Sequence, residues 1–422
     1  MKTRSLLTQL ALFVAFYAPI SLVKAQVTPQ TTLEITGKVV DINTNQPLLF
    51  ADIVVSGSNV ATISNNDGYF TLKLASNLSS ETLQISYLGY ADAYLPVSEA
   101  VTTKTIALTP VATPLDEVTI SRPQSAETLV KLMLKNRTTN YVDNALEMTG
   151  FYRETIKKRR KNASLSEAVV TIYKEPNSNN KRDAVALLKS RKSTNYARLD
   201  TIAMKLQGGP FNNLFIDFMK YPQFMFGNGN IDKYTFEFDK TTVINNQVMY
   251  VVNFKQKNTY TTPLYYGTLY IDAKNYALTS ARFSLNLTNK EQASALFVKR
   301  KPNRVKVHPT TANYRVDYRN SNGKWHYSYS NILLSFKVNW KGRLFNSVYT
   351  LNSEMAITNW LETDQKYSKP ENKQTILKPN TILIDETSGF MDVDFWGIYN
   401  IIEPEKSIET AIEKIRKQLD NS

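Results

Sequence analysis

The sequence Ile35-Thr36-Gly37-Lys38-Val39-Val40-Asp41 opens the stretch that decides the fold, residues 35–95. It continues through Asn45-Gln46-Pro47-Leu48, Ala51-Asp52-Ile53-Val54-Val55, Ala61-Thr62-Ile63, Asn65-Asn66-Asp67-Gly68-Tyr69-Phe70 and Ile85-Ser86-Tyr87-Leu88-Gly89-Tyr90. Apolar and polar residues alternate at Ile35, Gly37, Val39 and again at Phe70, Leu72, Leu74, the period of a half-buried strand. Between the runs stand Asn43-Thr44-Asn45-Gln46-Pro47 and Asn65-Asn66-Asp67-Gly68, whose Asn, Pro and Gly residues suit tight turns, Gly68 supplying a positive φ. Several short strands with frequent turns predict a small antiparallel sandwich.

The same motifs, in the same order, resemble the carboxypeptidase-like regulatory domain: Ile35 to Asp41, Pro47-Leu48, Ala51, Thr62, Asn66-Asp67-Gly68-Tyr69-Phe70 and Tyr87-Leu88-Gly89-Tyr90. The resemblance implies a transthyretin-like sandwich over residues 33–110. It also implies an accessory module without catalytic residues, of the kind that opens outer-membrane receptors and other exported proteins of gram-negative bacteria.

Working outward, residues 1–25 read as a secretory signal. Lys2 and Arg4 give a basic start, an apolar run interrupted by Pro19 follows, and Val23-Lys24-Ala25 places small residues for cleavage before Gln26. The run is short for a bilayer span, and no later stretch is long and apolar enough. This predicts an exported protein of the periplasm or outer membrane, with no transmembrane helix after cleavage. The chain has no Cys, so an exported form lacks disulfides and depends on its core. Its formal net charge is +14; residues 1–25 hold three cations and no acid, so their removal leaves +11. Such a surface suits anionic lipid or envelope polysaccharide, and export excludes nucleic acid as a partner. Lys157-Lys158-Arg159-Arg160-Lys161 is the densest cluster and is expected at a solvated hairpin tip.

Val111-Ala112-Thr113-Pro114 breaks the pattern, and residues 111–124 are expected to be a linker. Within it Leu115-Asp116-Glu117-Val118-Thr119-Ile120-Ser121 resembles the energy-coupling box of TonB-dependent receptors. The residues behind it are too few for a plug and a 22-stranded barrel. A role beside TonB-dependent uptake is therefore a subsidiary reading. Residues 125–140 predict a helix capped by Ser125, with Ala126, Leu129, Val130 and Met133 on one stripe.

Residues 125–368 form the expected second domain, rich in β structure. Gln247 to Phe254 reads as a strand, and Gly267 to Asp272 with Ala277 to Leu287 as a hairpin around Ala273-Lys274-Asn275. Ala312, Tyr314, Val316 and Tyr318 alternate with polar residues. After the turn Ser321-Asn322-Gly323-Lys324, Trp325, Tyr327 and Tyr329 are expected on one face, with His326 turned to solvent. Tyr250-Val251-Val252 followed by Gly267-Thr268-Leu269-Tyr270-Ile271-Asp272 resembles the half-barrel of periplasmic lipoprotein carriers, which implies a curved sheet around an apolar hollow. Residues 206–229 interrupt the meander with Phe211, Leu214, Phe215, Phe218, Phe224 and Phe226. These six are the candidate apolar-ligand or lid residues; the other reading makes them ordinary core closing the sheet. With the helix of residues 125–140, they are expected to cover the concave face.

Residues 369–422 form the expected C-terminal extension. Residues 369–379 read as a linker, and a final helix follows Pro404 with Ile408, Ala411, Ile412, Ile415 and Leu419 on one stripe. The whole layout resembles exported proteins that join a carboxypeptidase-like regulatory domain to a β-rich C-terminal domain.

The chemistry is sparse. The only histidines are His308 and His326; neither has a Glu three residues on, and a carboxypeptidase zinc site needs a third ligand. There is no Gly-x-Ser-x-Gly elbow, P-loop or dinucleotide fingerprint. Asp116-Glu117 and Asp385-Glu386 fall in expected linkers. No enzyme activity, metal or cofactor is expected. The sequence points to a non-catalytic envelope protein, with the sandwich as an interaction or positioning module and an envelope protein or lipid as its partner. The alternative is a carrier or sensor of a lipid or other apolar ligand.

Overall fold

The structure, a computed structural model, describes residues 32–111, 123–179, 181–194, 208–227, 229–298, 303–342, 344–363, 375–386, 395–406 and 408–410. The expected export signal of residues 1–25, the segment 115–121 and the expected helical stripe from Ala411 to Leu419 lie outside these residues.

The first unit is a sandwich. Strands β1 (Thr32–Asp41), β2 (Asp52–Val55), β3 (Ala61–Ile63), β4 (Tyr69–Ala75), β5 (Thr82–Ser86), β6 (Ala93–Pro96) and β7 (Thr105–Leu108) form two sheets. Their orders are β4-β1-β7 and β3-β2-β5-β6. The alternation read in the sequence places Ile35, Val39, Phe70 and Leu72 against Ile53, Val55, Leu83 and Ile85 in one core. The sandwich is not wholly antiparallel: β7 runs parallel to β1. The chain reaches that edge through a helical turn, Val97–Ala100, which buries Val97 and Ala100 on the way across. Gly68 has φ +82°, and a Cβ there would stand 2.7 Å from the Val39 carbonyl, so the turn requires glycine.

The second unit is built on one large sheet. Its strands are β8 (Ala145–Lys158), β9 (Lys161–Lys174), β10 (Ala184–Thr194), β11 (Tyr234–Phe238), β12 (Thr242–Ile244) and β13 (Gln247–Gln256). They continue with β14 (Tyr265–Asp272), β15 (Leu278–Leu285), β16 (Val305–Ser321), β17 (Lys324–Trp340), β18 (Ser347–Thr363) and β19 (Thr375–Ile376). The order is β11-β13-β14-β15-β16-β17-β18-β8-β9-β10-β19, with β12 beside β13. All pairings in it are antiparallel, and the sheet curves without closing. Register shifts between Ile156 and Lys157, Pro309 and Thr311, Asp317 and Tyr318, and Ile357 and Asn359 add local bend and twist to its longest strands. The hairpin Asn322-Gly323, with φ 51° and 79°, is the paired-strand turn the sequence predicts.

Further expectations require correction. The helix of residues 125–140 breaks at Asn136 into α1 (Ala126–Lys135) and a further turn, Arg137–Asn140. Thr375 and Ile376, expected in a linker, extend the sheet by pairing with β10. Asp385 and Glu386, also expected in a linker, close a helical turn, Leu383–Glu386. Tyr329 does not share a face with Trp325 and Tyr327. The shift that sets Tyr318 opposite Tyr327 but Asp317 opposite Tyr329 leaves Ser328 as an extra residue and reverses the side-chain alternation.

Both faces of the sheet are covered at its centre. Tyr152 and Ile156 of β8 face the concave core, together with α1 and the segment after Gly208. Phe151 of the same strand faces the convex side, against Ile63 of the sandwich and Trp396 and Ile402 of the C-terminal segment.

Candidate functional site

The convex junction holds a cluster of four buried charges, Arg153, Glu167, Arg191 and Glu354. Arg153 is 1% exposed on β8 and cannot escape to water. Its Nε donates to Glu167 Oε1 at 2.7 Å, its Nη1 to Glu354 Oε1 at 3.3 Å and its Nη2 to the Ile402 carbonyl at 2.6 Å. Arg191 Nε donates to the other Glu167 oxygen at 2.7 Å. Burial disfavours the Arg153 charge, but Glu167 and Glu354 outweigh it and raise its pKa. Burial would likewise raise Glu167, yet Arg153 and Arg191 hold it below the usual carboxylate range. Arg191 also lies over the Trp396 ring at 4.8 Å. The guanidinium of Arg153 thus ties three sheet strands to the backbone of residues 402–403.

Those residues belong to a strap, residues 395–406, wedged between sheet and sandwich. The turn Asn65-Asn66-Asp67-Gly68 grips it from the other side. Asn65 Oδ1 accepts from the Asp67 and Tyr69 amides, both at 2.9 Å, which fixes the turn. Its Nδ2 donates to the carbonyls of Glu403 and Pro404, both at 3.2 Å. Lys73 and Asn400 exchange two hydrogen bonds, at 2.6 and 2.9 Å, as if the strap were a further edge partner of β4. Thr62 Oγ1 donates to the Ile401 carbonyl at 3.1 Å.

Direct contacts complete the junction. Arg319 pairs with Asp52 of β2, its Nε donating at 2.7 Å. Phe50 stacks on Tyr329 at 5.2 Å, under the Arg315 guanidinium. His326 corrects an expectation: it is buried here against Trp360, ring centroids 4.8 Å apart, and not in solvent. Burial and the positive charges of Arg319 and Lys174 push its pKa down to about 4. It therefore stays neutral at ordinary pH.

The concave face holds the candidate lid residues. Phe211 and Leu214 are buried on α2 (Pro210–Phe215), Phe218 and Phe226 are buried beyond it, and Phe215 and Phe224 are half-buried at the rim. Phe218 meets Phe226 and Phe283 edge-on at 5.7 and 6.1 Å, and Phe224 lies against Tyr265 at 5.2 Å. Burying each such ring contributes about 2 kcal/mol. Polar contacts pin the segment at two points. Asn213, fully buried, donates to Ser330 Oγ at 3.0 Å and accepts from Ser353 Oγ at 2.9 Å. Asp217 accepts from Lys174 Nζ and from the Tyr318 hydroxyl, both at 2.8 Å. Glu154 lies on this face too, bonded by the Tyr152 hydroxyl at 3.0 Å; burial pushes its pKa up to about 7.

The basic run Lys157 to Lys161 forms the β8–β9 hairpin tip, as the sequence predicts. His308 sits at a half-buried position on β16, away from His326. Among the described residues, no group of three or more His, Cys, Asp or Glu is placed to hold a metal ion. Sequence reasoning missed Arg153, Glu167, Arg191 and the strap. The one local signal was Arg153-Glu154, adjacent opposite charges between the apolar residues Phe151-Tyr152 and Ile156 of one strand.

A family model, CarboxypepD_reg-like domain, matches residues 35–120. No curated protein matches the chain. Among solved structures, a Vibrio parahaemolyticus domain assigned to outer membrane lipoprotein sorting is 10% identical, covering 59% of this chain and 97% of that one, with a TM-score of 0.26. A DUF1329 family protein from Desulfovibrio piger is 9% identical, covering 58% and 95%, with a TM-score of 0.23. Lipovitellin is 6% identical, covering 56% and 27%, with a TM-score of 0.28. TM-scores this low fix neither a fold nor a ligand. The family match and the two-sheet sandwich agree on the N-terminal unit: residues 35–120 carry a CarboxypepD_reg-like domain, and its Asn65-Asn66-Asp67-Gly68 turn grips the chain's own C-terminal strap.

Proposed function

We propose that the protein is a non-catalytic envelope protein in which the regulatory-like sandwich is a positioning module. The sandwich is carried in one orientation on the convex face of the curved sheet and offers its outer surfaces to an envelope partner. The observation that carries this reading is the Arg153 anchor. One buried guanidinium binds Glu167, Glu354 and the strap, and the strap binds the sandwich. A linker that only tethered two units would not bury charge at the junction, because an unpaired buried charge is strongly destabilising. The export signal read in residues 1–25 and the family's habit of opening exported proteins support an envelope location. No helix among the described residues is long and apolar enough to cross a membrane.

A second reading, a carrier of an apolar ligand, is favoured by one feature. Phe224 and Tyr265 at the rim of the concave face are only half-buried, so the segment from Phe211 to Phe226 ends in accessible aromatic surface. A ligand would have to displace that segment. Native mass spectrometry of the full chain recovered from its own cells separates the two. The positioning reading expects the mass of the bare protein; a stoichiometric acyl-chain adduct would replace it with the carrier.

A further inference from the structure

Two hairpin tips lie side by side at one end of the large sheet. The β8–β9 tip carries Arg159 and Arg160, and the β17–β18 tip carries Leu344 and Phe345. The register of β18 with β8 sets Tyr349 opposite Lys158, and the Arg159 amide donates to the Val348 carbonyl at 2.8 Å. The start of β16 reaches the same end, the Lys341 amide bonding the Arg304 carbonyl at 2.9 Å.

Two properties of this edge stand out. Leu344 is 90% exposed and Phe345 74%, the two most exposed large apolar side chains among the described residues. Around them, residues 155–163, 303–308, 337–342 and 344–350 contain nine Lys and Arg and no Asp or Glu. Apolar side chains at a protruding tip, ringed by cations, match the layered chemistry of a bilayer surface: acyl boundary beneath anionic headgroups. A soluble polyanion would use the charge but not require the protruding Leu–Phe pair.

We propose that this edge docks on anionic phospholipid bilayers, with Leu344 and Phe345 entering the headgroup–acyl boundary and Arg159, Arg160 and Lys161 contacting phosphate. The docking would orient the whole sheet, and hence the sandwich fixed to it, against the membrane. It goes beyond the positioning reading and fails separately from it, because neither the strap nor the Arg153 anchor contributes a residue to the edge.

The test is co-sedimentation of the full chain with vesicles of phosphatidylcholine alone and with added phosphatidylglycerol, in rising salt. The expected result is binding to the anionic vesicles only, weakened by salt. Arg159→Glu, Arg160→Glu and Lys161→Glu together should weaken it about a hundredfold, and Leu344→Ser with Phe345→Ser about tenfold. Thermal melts check that the variants fold; Phe345→Ser alone serves if a combined variant does not. Failure of the parent chain to bind, equal binding to neutral vesicles, or insensitivity to the tip substitutions would overturn the proposal. So would tight capture on heparin that competes with vesicles and ignores Leu344 and Phe345, since that would mark a polyanion site.

Discussion

Asn65 and Glu403 stand 338 residues apart and are joined by a hydrogen bond from the Asn65 side-chain amide to the Glu403 carbonyl at 3.2 Å. Asn65 is 1% exposed, and its other side-chain atom organises the turn that defines the sandwich motif. One residue therefore shapes the module and fastens it to the rest of the chain. Asn65→Ala removes both functions. It should lower unfolding free energy by about 2–3 kcal/mol, read from denaturant midpoints. Hydrogen exchange of residues 395–406 should accelerate with it, and unchanged exchange there would show that the strap is held by something else.

Arg153→Met keeps bulk but deletes the charge. Glu167 and Glu354 would then share a buried site with only Arg191 to compensate, at a cost of about 3–5 kcal/mol. Adding Glu354→Gln should recover part of that loss, because it removes the carboxylate left without its partner. A double-mutant cycle with no coupling between Arg153 and Glu354 would contradict the anchor.

On the concave face, Phe218→Asp should abolish cooperative folding, since the ring is fully buried against Phe226 and Phe283 and a carboxylate there would be cut off from water. Phe215→Asp should be milder. Phe215 lies at the rim beneath the Arg182 guanidinium, 5.9 Å away, so the new carboxylate has a partner and a path to water. Near-UV circular dichroism and urea melts distinguish the two. If Phe218→Asp folds normally, the segment is a detachable lid.

Two buried groups give stability opposite pH dependences. Glu154 has a folded pKa of about 7, against 4.5 unfolded, so the folded state holds the extra proton between those values. Stability should therefore fall as pH rises from about 4.5 to 7, on the order of 3 kcal/mol in all. Glu154→Gln keeps an acceptor for the Tyr152 hydroxyl and should remove this decline. His326 acts in the other sense: its folded pKa of about 4 lies below the ordinary imidazole value of 6.5, so its neutral-form stability is complete above 6.5 and lost as pH falls toward 4. Urea midpoints of wild type and Glu154→Gln at pH 5 and 8 check the first sign; an equal midpoint difference at both values would refute it.

Local chemistry made much of the fold legible. Turns such as Asn65 to Gly68 and Asn322-Gly323 announce themselves because few residues tolerate positive φ, and Ala312, Tyr314 and Val316 alternate as a half-buried strand must. The errors came where a single residue changed phase or where a partner lay far along the chain. Ser328, as the extra residue of a bulge, turned Tyr329 from the concave core toward Phe50. His326 looked solvent-facing because alternation predicts only which face a residue occupies; that face is covered by Trp360. Residues 395–406 form no regular element of their own, and their partners on the sandwich lie more than 320 residues away, so no local pattern could place them. The aromatic segment was legible as apolar surface, but Asn213 and Asp217, which pin it, read as ordinary loop polarity.

The central claim is that the sandwich is carried in one fixed orientation on the sheet. Because the chain has no cysteine, Tyr94→Cys on the sandwich and Tyr266→Cys on β14, both exposed sites, can carry two spin labels without further change. Pulsed electron paramagnetic resonance on the full chain should give one narrow distance distribution, broadened when Asn65→Ala is added. A broad distribution in the chain with Asn65 intact would contradict the account.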